Sequence, residues 1–97
     1  MDDKKRLNRL YEPCLLFVQL TKARDALWHS RVVENKKYLK FFITTKNPRK
    51  TKEEVNQAKL EMEKSAALIS LIDEAIKEFT KEINRKNKII KAILSTK

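Results

Sequence analysis

From Val55 onward an apolar residue recurs every seven positions: Val55, Met62, Ile69, Ile76, Ile83 and Ile90. Three residues after each stand Ala58, Ser65, Ile72, Phe79, Lys86 and Ile93, four of them apolar. Positions that alternate three and four residues apart stay on one side of an α-helix, so this spacing predicts a long helix with a continuous seam. The helix spans about 44 residues, roughly 65 Å at 1.5 Å per residue. Its seam cannot face water along that whole length. The rest of the chain, together with a second copy or a partner, is expected to cover it.

Composition narrows the fold further. A chain of 97 residues is sized for one domain, 1–97. It has no glycine. The phosphate-cradling loops of nucleotide-binding proteins and the nucleophile elbow of hydrolases need glycine for their backbone geometry, as do most tight turns between strands. With two prolines and 37% charged residues, the chain is expected to be all-α. The single cysteine, Cys14, lies in the run Cys14-Leu15-Leu16-Phe17-Val18, which excludes an internal disulfide and predicts a small buried side chain. No run reaches the roughly 18 apolar residues of a membrane span, and no leader is evident. The expectation is a cytoplasmic protein, or a nuclear one in a eukaryotic cell.

Along the chain, Asp2 and Asp3 are candidate caps for a short first helix, about 3–11, with Leu7, Leu10 and Tyr11 on one face. Pro13 predicts a break at 11–13, because proline removes a hydrogen bond and clashes with the preceding turn. A second helix is expected over 13–43, with Leu16, Leu20, Ala23, Leu27, Tyr38, Phe41 and Phe42 as its apolar positions. The segment 44–51, Thr-Thr-Lys-Asn-Pro-Arg-Lys-Thr, reads as a loop, with Asn47-Pro48 as the turn signal. Thr51 and Glu54 then form a capping box that opens a third helix over 52–95.

A loop this short implies antiparallel packing of the two long helices. A turn near 47–48 pairs residues whose numbers sum to about 95, which sets Leu27 against Leu68, Leu20 against Ala75 and Leu16 against Phe79. The fold class is therefore an all-α antiparallel hairpin with a long C-terminal helix and a short N-terminal one. A surplus remains: Ala67, Leu68, Leu71, Ala75 and Ile89 lie outside the seam, and 14–20 is apolar nearly all round. Two helices cannot bury apolar surface on every side, so Leu68, Leu71, Ile72, Leu16 and Leu20 are assigned to an interface with a second copy or a helical partner. On this reading the isolated chain is not a stable monomer.

The net charge is +10, unevenly spread: residues 1–50 carry 13 basic and 5 acidic side chains, residues 51–97 carry 10 and 8. From Lys36 to Lys52 there are seven cations and no acid: Lys36, Lys37, Lys40, Lys46, Arg49, Lys50 and Lys52. Tyr38, Phe41 and Phe42 are interleaved. Cations of this kind meet phosphates and aromatic faces meet unstacked bases, so the seven are the candidate nucleic-acid-binding residues. The bland reading puts the aromatics in the core and the lysines, 17 of the 23 basic residues, on solvated helix faces. A second basic cluster, Lys4, Lys5, Arg6 and Arg9 with Arg85, Lys86, Lys88 and Lys91, would gather at the far end of the hairpin.

Arg24 and His29 stand five residues apart, a spacing that resembles the Arg-His pair of the helical ribonucleases called HEPN domains. The resemblance implies a pair acting on an RNA phosphate at a dimer interface; Asp25 stands where that family often has asparagine. Read without it, Asp25 and His29 pair one turn apart and Arg24 stacks on Trp28. One histidine and one cysteine make no closed metal site. No catalytic residue, metal or cofactor is expected, and no small-molecule substrate. The leading expectation is a basic, non-enzymatic accessory protein that binds nucleic acid, or a nucleic-acid-bound complex, through its basic surfaces, with nucleic acid or an acidic protein surface as the partner. The alternatives are an interaction or adaptor subunit without nucleic-acid contact and, more distantly, a small helical ribonuclease using Arg24 and His29.

Overall fold

The computed structural model describes residues 3–95. Asp2, one of the two candidate caps, lies outside them. The chain is an all-α helical hairpin of two helices, α1 (Asp3–Lys46) and α2 (Lys52–Ser95). Among the described residues there is no separate N-terminal helix: α1 runs through Pro13 without interruption. The expected break fails because the row that packs, Leu10, Pro13, Phe17 and Leu20, keeps its three-four spacing through the proline, and all four side chains are half-buried. Ending the helix there would cost that shared burial. Continuing it forfeits one hydrogen bond and some strain, about 3 kcal/mol.

The helix also ends later than expected, at Lys46 rather than Ile43. Thr44 and Thr45 were expected in the loop. Their hydroxyls instead donate back to helix carbonyls, Thr44 Oγ1 to Lys40 O at 3.2 Å and Thr45 Oγ1 to Phe42 O at 2.6 Å. What stops the helix is Pro48, which disfavours helical backbone at the residue before it. Asn47 then builds the turn. Its Oδ1 accepts from the Arg49 amide at 2.9 Å and its carbonyl from the Lys50 amide at 3.2 Å. Thr51 caps α2: its Oγ1 accepts from the Glu54 amide at 3.1 Å.

The chain packs as two compact units, one of Leu27–Glu74 and one drawn from the two ends of the chain, up to Ala26 and from Ala75. In the loop-bearing unit, the heptad residues of α2 (Val55, Ala58, Met62, Ser65, Ile69 and Ile72) are all buried or half-buried. The facing row of α1 is Leu27, Arg31, Glu34, Tyr38, Phe41 and Thr45, again three and four apart and all half-buried. The most buried pair of this unit, Ala58 and Ser65, is small. Large α1 residues stand over them: Phe41 lines a groove with Ala58, and Glu34 reaches Ser65. In the end unit, α2 contributes Ile76, Phe79, Ile83, Lys86, Ile90 and Ile93, of which Ile76 and Ile83 are buried.

The register differs from expectation by one helical turn. Glu34 meets Ser65 and Leu20 shares a groove with Phe79, so facing residues sum to 99. The three extra residues of α1 move the turn's centre toward the chain's C-terminus and shift every pair. Leu27, expected against Leu68, is brought opposite Ile72, and Leu68 is exposed.

Candidate nucleic-acid interface

All seven candidate cations lie in the loop-bearing unit, and all are exposed. Lys36 and Lys40, one turn apart, share a face of α1. Lys46 is its last residue, Arg49 and Lys50 sit in the turn, and Lys52 opens α2. The segment is less isolated than its sequence suggests, because acids just outside it reach in. Lys37 Nζ lies 3.7 Å from Glu34 Oε2, and Lys50 Nζ lies 3.5 Å from Glu54 Oε2. Over 34–54 the balance is seven cations against three carboxylates. Among the described residues no ion pair is seen for Lys36, Lys40, Lys46, Arg49 or Lys52.

Lys46 has local support of another kind. Its Nζ stands 5.5 Å from the centroid of the Phe42 ring, and a cation is favourable at a helix C-terminus. Of the three aromatics, Tyr38 and Phe41 pack half-buried in the seam, whereas Phe42 is exposed. The expectation of a core Phe42 is corrected: it lies one position beyond the packed row, where α2 does not reach. One exposed aromatic within a rim of cations can meet phosphates and stack on a single base.

The other sequence candidates are dispersed. Of the assigned interface residues, Leu68 and Leu71 are exposed, whereas Ile72, Leu16 and Leu20 are partly covered by the chain itself. Cys14 is half-buried on the outer face of α1, beside Leu7, Tyr11 and Val18. The basic cluster at the chain ends is graded: Arg6 and Lys86 lie half-buried, Lys88 and Lys91 are exposed, and Arg85 is ion-paired with Glu82. Arg24 is half-buried with its Nε shielded and without a hydrogen-bond partner, while His29 is exposed. Five residues of helix separate the two side chains by about 140° around the axis. No group of three or more His, Cys, Asp or Glu able to hold a metal ion occurs among the described residues, and among them no helix is long and apolar enough to cross a membrane.

Two polar pairs join α1 to α2, one in the seam and one exposed at its edge. Arg31 Nε donates to Asp73 Oδ1 at 2.6 Å, and Ser65 Oγ donates to Glu34 Oε1 at 3.1 Å. The available signal was the three-four spacing of Leu27, Arg31, Glu34, Tyr38 and Phe41, concealed because two of its members are charged. Compared with protein-family models, curated proteins and solved structures, the chain matches none.

Proposed function

We propose that the chain is a non-enzymatic accessory protein that binds nucleic acid, or a nucleic-acid-bound assembly, through the basic turn and the helix ends beside it. The observation that carries this reading is a set of five exposed cations on the turn and the helices that flank it, Lys36, Lys40, Lys46, Arg49 and Lys52, for which no ion pair is seen among the described residues. Cations kept in water can meet phosphates, and such contacts position a backbone without reading its bases.

The test replaces Lys46, Arg49 and Lys50 by Ser and titrates both proteins with a mixed-sequence duplex at two salt concentrations. Each neutralised phosphate contributes a slope of roughly 0.9 in log affinity against log salt. The triple variant is expected to keep its helicity, to bind more weakly to all sequences alike, and to lose about two to three units of slope. Unchanged binding would mean that the turn is a solvated loop.

A second reading, an interaction subunit without nucleic-acid contact, is favoured by the bare Leu68 and Leu71. It predicts no duplex affinity for the parent protein even at low salt.

A further inference from the structure

Within the loop-bearing unit, α1 carries a second row of side chains, one residue after the packed one. Trp28, Val32, Leu39 and Phe42 stand at spacings of four, seven and three, with Asn35 filling the gap. They are 48%, 49%, 50% and 42% exposed. Spacings of three, four and seven are those of a coiled-coil seam, about 100° around the helix from the seam that α2 covers. Isolated apolar side chains on a surface need no explanation, but a row repeating at helical-seam spacing marks a face cut for another helix.

Charge selects the occupant. The cations beside this row, Lys36, Lys40 and Lys46, have no ion pair among the described residues. The one carboxylate of α1 in this stretch, Glu34, points into the covered seam and is held by Ser65 and Lys37. A second copy would fit by shape, since a two-fold axis at Asn35 sets Trp28 against Phe42 and Val32 against Leu39. It would also set Lys36 against Lys36 in a chain of net charge +10. Like charges brought together at a desolvated rim are the element that rejects a partner.

We propose that the Trp28–Phe42 face of α1 docks an amphipathic helix of acidic character, with apolar residues on one stripe and Glu or Asp flanking it. Its apolar stripe covers Trp28, Val32, Leu39 and Phe42, and its carboxylates meet Lys36, Lys40 and Lys46. The surface shares Lys36, Lys40 and Lys46 with the proposed phosphate contacts and leaves Arg49 and Lys52 outside it.

Trp28 is the only tryptophan, so its emission reports on this face. The probe is a synthetic helix of about three heptads with Leu on its seam and Glu at the flanking positions. A control peptide keeps the Leu positions and carries Lys in place of Glu. The Glu peptide is expected to shift Trp28 emission to the blue, and the Lys peptide is not. Val32→Asp with Leu39→Asp changes two exposed residues, so helicity and melting should hold while affinity falls at least tenfold. Equal binding of the two peptides would overturn the proposal, as would full binding by the double variant or no binding by the parent. A blue shift that follows protein concentration alone would assign the face to a second copy. One produced only by a single-stranded oligonucleotide would assign it to nucleic acid.

Discussion

Two polar contacts in the loop-bearing unit look alike on paper and differ in worth. The Arg31–Asp73 pair is the shorter, at 2.6 Å, yet its side chains are 35% and 47% exposed. Water and salt screen such a pair, which typically contributes about 0.2–1 kcal/mol. Ser65 is buried, and the Glu34 carboxylate it bonds is largely covered. A hydrogen bond to a charged group in that setting is worth about 1.5–3 kcal/mol. Double-mutant cycles by urea unfolding, with alanine at each position, should therefore rank Glu34–Ser65 above Arg31–Asp73. Added salt should erase the coupling of the second pair and leave most of the first. A larger coupling at Arg31–Asp73 would show that distance, rather than burial, sets the order.

At the scale of the element, Pro13 is the instructive case. Proline inside a helix predicts a boundary from sequence, and the structure keeps the helix because Leu10, Phe17 and Leu20 pack on either side of it. The ring still supplies no N–H to the helix ladder and crowds the preceding turn. Pro13→Ala should thus stabilise the fold, by about 1–3 kcal/mol, part of the gain being offset by a more flexible unfolded chain. Urea midpoints with and without the substitution measure it. A neutral result, with unchanged helicity, would indicate that α1 is interrupted at Pro13 in solution. The capping of α2 was readable because Thr51 and Glu54 are local to one turn; the end of α1 was not, because threonine hydroxyls can satisfy either a loop or a helix.

For the whole molecule, apolar and electrostatic terms oppose each other. Exposed residues such as Leu7, Tyr11, Ile43 and Leu71 favour association, each exceeding 60% exposure. The net charge of +10 works against the approach of two copies. Salt separates the two effects, since the screening length falls from roughly 30 Å at 0.01 M to 10 Å at 0.1 M. Sedimentation should show self-association growing as salt is raised. Assembly that weakens with salt would instead point to paired opposite charges at the contact.

The sequence alone determined that the chain is all-α, that it turns once near Asn47-Pro48, and which residues of α2 face inward. Each of these follows from local chemistry: the absence of glycine, a proline after an asparagine, and a repeat in which apolar residues recur at helical spacing. The concentration of cations beside the turn was equally plain, because charge can be counted. Tertiary structure decided the rest. It carried α1 through Pro13 and on to Lys46, and so moved the pairing by a turn. It also separated the two rows of α1, which interleave so closely in sequence that neither stands out. Periodicity tells which residues share a face. Only packing against a second helix tells which of two adjacent faces is covered, since apolar burial is non-directional and the seam of α2 can cover only one of them.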